Sequence, residues 1–282
     1  MKTGFAILAL ATLAGTALAS TNVNNINAFQ VDNRNFNDFN NSTLNWGAAG
    51  AATNLAPLPT DDGTLPIAGG VQWRDEFAAF SAGNGSFANK HLAWLSSDAG
   101  ASRHQGNLNQ SWTMAFNVNI TVAAPGVRRE AGIQVLNPRP SLGFTDEGQM
   151  LIASDGEVAI FGGVMPFTGF GNVYTAGTTA SVLWEYFAPG TADPILGAYR
   201  LRFTDAVTGL HDSGLKLWGA GEPDGLFGFN FGTEMALKAQ NQRIPTINDF
   251  SDIAYSNFSI VPAPSAVALL GMAGLITGRR RR

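Results

Sequence analysis

Cysteine is absent from the 282-residue sequence. The chain therefore has no disulfide framework, no thiolate metal site and no cysteine nucleophile. A domain of this size does not require disulfides, because it buries enough surface to be stabilised by its own core.

Basic residues are scarce once the two ends of the chain are set aside. All 21 acidic residues lie between Asp32 and Asp252, whereas Lys2 and four terminal arginines lie outside that region. The central region keeps 12 of the 17 basic residues, which gives it a net charge of −9. Nucleic-acid affinity depends largely on neutralising phosphates with Lys and Arg, so the composition argues against nucleic acid as a partner.

Several catalytic motifs are also missing from the sequence. It contains no Gly-x-Ser-x-Gly elbow and no phosphate-binding loop that ends in Gly-Lys. The three histidines, His91, His104 and His211, lack the spacing of metal ligands, and each is predicted to lie on the surface or in a turn.

Two acidic residues form a weak candidate for a calcium site. The stretch "GFTDEG" (residues 143–148) places Asp146 and Glu147 on a predicted loop, where carboxylates and carbonyls can bind Ca²⁺. Two carboxylates fall short of a full oxygen cage, so a solvated acidic turn is the favoured interpretation. We therefore expect no metal and no cofactor.

Aromatic residues are the remaining candidates for ligand binding. Trp184 and Tyr186 alternate with Glu185, so on a strand they share one face. If that face is exposed, the two rings can stack on sugars. Trp112 and Trp218 stand in apolar alternation and are predicted to lie in the core.

The N-terminal segment, "MKTGFAILALATLAGTALAS", has the features of a secretory signal peptide. Lys2 precedes an almost uncharged apolar run over residues 4–18. Ala17 and Ala19 then form the small-x-small pattern that signal peptidase cleaves. We predict that residues 1–19 are a signal peptide and that cleavage follows Ala19.

The C-terminal segment, "VPAPSAVALLGMAGLITGRRRR", combines a short apolar run with a basic end. As a helix, residues 265–277 would be about 20 Å long, which is short of the roughly 30 Å core of a bilayer. Flanking residues and long arginine side chains reduce the difference. Positive charge beside a membrane span stays cytoplasmic, and here it comes from Arg279, Arg280, Arg281 and Arg282.

The layout of this segment, with Val261-Pro262-Ala263-Pro264 before the apolar run and the arginines, resembles the sorting signal of PEP-CTERM proteins, which are exported by bacteria. The resemblance implies membrane retention, removal of the signal by an exosortase, and delivery to the cell surface or extracellular matrix. Ala263 stands where the name-giving motif has glutamate. A simple C-terminal membrane anchor is the alternative.

Between the two ends, at residues 20–260, the sequence shows the two-residue period of β-strands. "SWTMAFNVNITVA" (residues 111–123) alternates apolar and polar positions, and "GQMLIASDGEVAIFGG" (residues 148–163) reads as a hairpin turning at Ser154-Asp155-Gly156. Further short strands are indicated by "EAGIQVL", "SVLWEYFA", "AYRLRF", "GLFGFNFG" and "IAYSNFSIV".

Other parts of this region are less regular. The Asn-rich segment at residues 21–45 is predicted to be loop-rich with one strand, and residues 47–70 are predicted to form a long surface loop. Residues 89–98 are the one candidate for a short helix. The whole pattern predicts a single all-β domain, a two-sheet antiparallel sandwich of jelly-roll type.

Residues 129–167, "REAGIQVLNPRPSLGFTDEGQMLIASDGEVAIFGGVMPF", resemble the middle part of concanavalin A-like β-sandwich domains in strand order and glycine placement. The resemblance implies a concave sheet that commonly binds carbohydrate. Some families of this class hydrolyse β-glucans with a Glu-x-Asp-x-Glu strand, which this chain lacks. Its adjacent acids at 75–76 and 146–147 would face opposite sides of a strand.

These features predict a non-enzymatic protein of the cell surface or extracellular matrix, with extracellular polysaccharide as its ligand. The alternative is a glycoside hydrolase on the same fold that uses an unrecognised acid pair. A solved fold discriminates between them, because paired acids in a groove favour the hydrolase.

Overall fold

The structure is a computed structural model of the chain. It describes residues 23–38, 42–50, 62–77, 88–106, 109–123, 128–139, 144–163, 165–194, 196–218, 233–242 and 249–262.

Nearly all regular structure in these residues is β. Two short 3₁₀ helices cover Val23–Asn25 and Ile67–Gly69. The strands, numbered in chain order, are β1 (Ala28–Asn37), β2 (Thr43–Gly47), β3 (Gly63–Pro66), β4 (Val71–Phe77), β5 (Ala88–Ser96), β6 (Trp112–Val122), β7 (Arg129–Arg139), β8 (Phe144–Ala153), β9 (Glu157–Gly162), β10 (Thr168–Asn172), β11 (Thr179–Phe187), β12 (Ala198–Asp205), β13 (Gly209–Asp212), β14 (Lys216–Leu217), β15 (Glu234–Gln242) and β16 (Asp249–Pro262).

The strands form two antiparallel sheets. The first sheet has the order β10-β9-β8-β7-β15-β5-β1-β3, and the second has the order β13-β12-β11-β6-β16-β4-β2, with β14 also paired to β12. Strands that are neighbours in a sheet are often distant in sequence, as in a jelly roll. The predicted all-β, two-sheet antiparallel sandwich is confirmed.

Alternation along the strands decides which residues fill the space between the sheets. On β6, every second side chain from Trp112 to Ile120 is buried, and the side chains between them are partly exposed. The predicted hairpin is also confirmed, because β8 and β9 pair as antiparallel neighbours and Gly156 takes a φ of 106° at their turn. A positive φ costs glycine little, which explains the Asp-Gly sequence there.

An aromatic cluster fills one part of the core. The ring of Trp112 lies edge-on to Trp184, with centroids 4.9 Å apart, and stacks on Tyr186 at 5.4 Å. Trp218 stacks on Trp184 at 6.2 Å. All four side chains are buried, so the core positions predicted for Trp112 and Trp218 are confirmed.

One tyrosine connects the two sheets through hydrogen bonds. The hydroxyl of Tyr255 on β16 accepts a bond of 2.6 Å from the backbone N–H of Gly132 on β7. A side chain at Gly132 is excluded, because φ is 140° and a Cβ would lie 1.8 Å from the carbonyl oxygen of Met150. The close approach of β7 and β8 at this point therefore depends on glycine at position 132.

A buried polar cluster also lies between the sheets. The carboxylate of Asp75 on β4 accepts hydrogen bonds from Asn89 (3.0 Å) and Asn241 (2.7 Å), and the Nε2 atom of His91 lies 3.6 Å away. The Nδ1 atom of His91 accepts the backbone N–H of Arg34 at 3.1 Å. Burial alone would raise the pKa of Asp75, but His91 and Arg34 hold that pKa below its ordinary value.

Three expectations about secondary structure need correction. The candidate helix at residues 89–98 is instead mostly strand β5, because it pairs with β1 and β15 in the middle of a sheet. The predicted loop at residues 47–70 contains strand β3, which pairs with β1. Strand β16 continues to Pro262, two residues beyond the predicted end of the domain. The predicted strand "GLFGFNFG" lies outside the described residues.

Among the residues that the structure describes, no helix has the length and apolar character needed to cross a membrane. The apolar run at residues 265–277, predicted to enter the membrane, lies outside those residues.

Candidate functional site

The aromatic residues predicted to bind sugars are in the wrong place for that role. Trp184 and Tyr186 do share one face of β11, but that face is the core side, and both side chains are completely buried. Their rings contact Trp112 and Trp218 instead of solvent. The prediction that they stack on sugars is therefore wrong.

The predicted calcium loop is a strand. Asp146 and Glu147 both lie in β8, where they pair with Asn137 and Leu136 of β7. The loop needed to wrap a cation is therefore not formed at these positions. Over the described ranges, no group of three or more His, Cys, Asp or Glu side chains is arranged to hold a metal ion.

Two of the three histidines are buried, which corrects the expectation that each lies on the surface or in a turn. His91 lies between the sheets and stacks on Trp73 at 6.2 Å. His104 is buried after β5, and burial lowers its pKa to about 4.

The structure describes only two of the residues that the sequence predicts to act in targeting. Val261 and Pro262 are the last two residues of β16 and pair with Thr113 and Trp112 of β6. The other residues of the predicted targeting segments lie outside the described residues: Ala17, Ala19, Ala263, Pro264, Arg279, Arg280, Arg281 and Arg282.

A polar cleft of about 430 Å³ opens on the outer face of the first sheet, at its β1–β3 edge. Register brings Thr64 of β3, Gln30 of β1 and Trp94 of β5 into one row across this face. Asp32 lies two residues further along β1 and therefore faces the same side. Arg103, from the segment after β5, completes the lining.

Arg103 is held in place on three sides. Its guanidinium carbon lies 4.0 Å from the ring centroid of Trp94, which is cation–π geometry. Its Nη1 atom donates a 3.1 Å hydrogen bond to Glu234, and its Nη2 atom lies 3.7 Å from Asp32. Gln105 donates a further bond of 2.5 Å to Glu234. The guanidinium is thus fixed at one side of the cleft.

The segment that carries Arg103 is ordered by a carboxylate. Asp98 accepts hydrogen bonds from the hydroxyl of Ser96 (2.7 Å) and from the backbone and hydroxyl of Ser102 (2.9 and 2.6 Å). These bonds lower the pKa of Asp98 to about 2, those from Ser102 being the largest cause. Gly100, between Ser96 and Ser102 in the chain, packs closely on Thr64: a Cβ at position 100 would lie 2.3 Å from the methyl group of Thr64.

The two carboxylates that line the cleft each accept one hydrogen bond from a neighbour. Asp62 accepts the backbone N–H of Asn33 at 2.8 Å, and Asp32 accepts the side-chain amide of Asn35 at 2.9 Å. Beside them, β1 is irregular between Asp32 and Phe36, and Arg34 takes a φ of 54°. This bulge directs the backbone of β1 around the cleft.

The centre of the same face is buried and internally paired. Lys238 on β15 donates a 2.9 Å bond to Gln149 and lies 3.8 Å from Glu130, and burial lowers its pKa to about 8. Two further polar atoms of this face are buried and have no hydrogen-bond partner among the described residues: the Nε1 atom of Trp94, beside the cleft, and the Oε1 atom of Gln134 on β7, farther from it. We therefore place the ligand-accessible part of this face at the cleft.

A second, smaller cleft of about 250 Å³ lies on the outer face of the second sheet. Its lining includes Asn117, Ser181, Leu183 and Leu210, and its basic residue, Arg202, is paired with Glu185 at 2.8 Å. No carboxylate lines this cleft among the described residues, and it offers fewer charged groups to a polar ligand than the cleft on the first sheet.

Sequence reasoning missed the residues of the larger cleft. Asp32, Arg103 and Glu234 are far apart in the chain, and each taken alone is an ordinary charged residue. Only the pairing of β1, β5 and β15 side by side brings them together. The alternation of Gln30 and Asp32 on β1 was the one local signal that these residues share a face.

No family model matches the chain, and no curated protein matches it either. Solved structures are similar to it. The alginate lyase A1-II′, a member of polysaccharide lyase family 7, is 10% identical with a TM-score of 0.49, over 85% of this chain and 95% of that one.

The alginate lyase from Corynebacterium sp. is 12% identical with a TM-score of 0.42, over 69% of this chain and 77% of that one. The basic winged bean lectin is 11% identical with a TM-score of 0.38, over 84% and 99%. With TM-scores below 0.5 and identities of 10–12%, these likenesses carry no argument about activity or ligand, which must come from the residues of this chain.

Proposed function

We propose that the sandwich binds polysaccharide in the cleft on the outer face of its first sheet and does not cleave it. We further propose that the protein is exported and displayed at the cell surface or in the extracellular matrix, where such chains occur.

The observation that supports binding is the chemistry of the cleft lining. Gln30, Thr64, Asp32 and Arg103 present amide, hydroxyl, carboxylate and guanidinium groups within one open space. A sugar chain carries many hydroxyls that both donate and accept hydrogen bonds, so a lining of this kind complements it. Trp94 fixes the guanidinium from below, which reduces the ordering cost of binding.

Export is supported by the sequence of the two ends. Residues 1–19 have the pattern of a signal peptide, and residues 261–282 resemble a PEP-CTERM sorting signal. In this proposal, an exosortase-type enzyme is the processing partner, and the membrane holds the C-terminal segment before processing. The extended conformation of Val261 and Pro262 is compatible with a cleavage site that follows the last strand.

Isothermal titration of the purified protein with a panel of neutral and charged oligosaccharides tests binding. Arg103→Ala should weaken binding roughly tenfold or more, because it removes a cleft side chain held by two carboxylates and a ring. Arg200→Ala is the matched control, since Arg200 pairs with Asp212 on the outer face of the second sheet. Equal affinities in both variants would place binding elsewhere, and no binding to any chain would reject the proposal.

A glycoside hydrolase remains the competing function, and the same panel tests it. Reducing ends should not appear on incubation with β-glucans. Arg128 engages Glu130, Asp155 and Glu157 at 2.7–2.8 Å, so the acid pair to test is the one that lines the cleft, Asp32 and Asp62. Turnover that disappears in Asp32→Asn or Asp62→Asn would establish the hydrolase instead.

A further inference from the structure

We propose, on the basis of the binding function above, that the cleft selects its polysaccharide by charge. Chains with protonated amino sugars should bind more tightly than neutral chains, and chains of uronic acids should bind more weakly than both.

The inference starts from the charges that line the cleft. Asp32 and Asp62 contribute two carboxylates, and Arg103 contributes one guanidinium. The positive charge of Arg103 is already matched by Glu234, which lies 3.1 Å from it behind the cleft. The lining therefore carries an excess of negative charge.

The positive charge of Arg103 is balanced by its neighbours, although its remaining N–H groups can still donate to sugar hydroxyls. One side of its guanidinium faces Glu234, another faces Asp32, and its plane lies over Trp94. A sugar carboxylate that approached it would meet the charge of Asp32 at short range. Like charges in proximity are unfavourable, so a uronic acid is repelled where a hydroxyl is accepted.

The carboxylates, in contrast, keep capacity to accept hydrogen bonds. Asp62 is exposed and Asp32 is partly exposed, and each accepts only one hydrogen bond from the neighbours described above. An ionised carboxylate has about four lone-pair sites, so several remain for ligand donors. An ammonium group supplies three donors and the complementary charge.

A basic residue that interacts with Asp32 does not reverse this balance. Lys90 on β5 interacts electrostatically with Asp32 and also with Glu147, and burial lowers the pKa of Lys90. It does not line the cleft. The net negative charge of the whole central region also attracts cationic ligands, but it does not direct them to a particular site.

The experiment uses the full-length protein and three oligosaccharides of equal length: glucosamine, N-acetylglucosamine and galacturonic acid chains, at a pH where the amines are protonated. Affinity should fall in that order. Asp32→Asn and Asp62→Asn should each reduce the preference for the amine over the neutral chain by roughly two- to fivefold, as expected for a partly exposed ion pair. Glu185→Gln makes the same charge change on the other sheet and should leave the preference unaltered.

Each outcome has a distinct meaning. Galacturonic acid chains that bind as tightly as the neutral chain would overturn charge selection and leave polysaccharide binding intact. An equal loss of preference in Glu185→Gln would overturn the role of the cleft, because it would reveal diffuse attraction to an acidic protein. If none of the three chains binds, and none of them shifts the thermal unfolding of the folded protein, the proposed function itself is rejected.

Discussion

The hydroxyl of Tyr255 and the backbone N–H of Gly132 form a hydrogen bond of 2.6 Å that joins the two sheets through the middle of the core. Tyr255 is completely buried, and burial raises the pKa of its hydroxyl well above the ordinary value. The same hydroxyl faces the carbonyls of Gly132 and Lys238 as acceptors. A polar contact inside an apolar core therefore fixes how the two sheets are positioned.

Tyr255→Phe should lower the free energy of unfolding by about 1–3 kcal/mol, because the N–H of Gly132 loses its partner in a buried environment. Chemical denaturation measures the change. Tyr199→Phe is a matched control: Tyr199 is equally buried, but its hydroxyl makes a longer bond of 3.3 Å to Pro166. Equal losses in the two variants would show that the cross-sheet bond has no special weight.

The Asp98 carboxylate should titrate at unusually low pH. Its pKa is lowered to about 2, so its contribution to order in the segment before Arg103 is present above pH 4 and is lost as the pH falls towards 2. The amide chemical shift of Ser102 should follow this titration by NMR, with a midpoint near 2. Asp98→Asn should abolish the transition, and a midpoint near the ordinary value of 3.8 would contradict the assignment.

His91→Ala should destabilise the protein by about 1–3 kcal/mol, because it removes a buried hydrogen-bond acceptor from the backbone N–H of Arg34 and a polar neighbour from Asp75. The Asp75 carboxylate would remain buried with its amide donors and with Arg34 at 3.8 Å. His211→Ala should change stability by less than about 0.5 kcal/mol, because His211 lies at the sheet edge and contacts Thr208. Similar values for the two variants, measured by denaturation, would remove the structural role of His91.

The C-terminal segment should be removed from the mature protein. Mass spectrometry of protein extracted from the native cell surface should find a product without Arg282, and deletion of residues 263–282 should release the domain to the medium. Replacing Pro262-Ala263-Pro264 should leave the full chain in the membrane. A mature product that retains Arg282 would indicate a plain anchor.

Deletion from residue 257 serves as a control for folding. It removes the part of β16 that pairs with β6 from Ser259 to Pro262. If the protein deleted from residue 257 fails to fold, while the protein deleted from residue 263 is released normally, the effects of the deletion on sorting and on folding are distinguished.

The fold could be predicted from the sequence because the alternation of apolar and polar residues along a strand is a local property. Residues 111–123 and 148–163 carry the two-residue period and the Asp-Gly turn, and both became strands as predicted. Residues 89–98 were misassigned because most of β5 is buried on both faces, so residues 92–95 form a continuous apolar run without alternation. Tertiary pairing decided its conformation.

The cleft could not be predicted from the sequence, because its position depends on long-range strand pairing and not on a local pattern. Alternation puts Trp184 and Tyr186 on one face, but it does not say whether that face is the core or the solvent side. Asp32 and Arg103 are brought to one place by a sheet order that connects distant strands. No local pattern encodes that order, so the charged lining could be found only from the structure.

Strand β16 has a mechanical consequence for a chain pulled from its C-terminus. It is the longest strand described, and it lies between β6 and β4 in the interior of the second sheet. Tension applied after Pro262 would run along the strand and load its hydrogen bonds to both neighbours in shear, all at once. Resistance to detachment would then come from the middle of the sheet, where the pairing is protected on both sides.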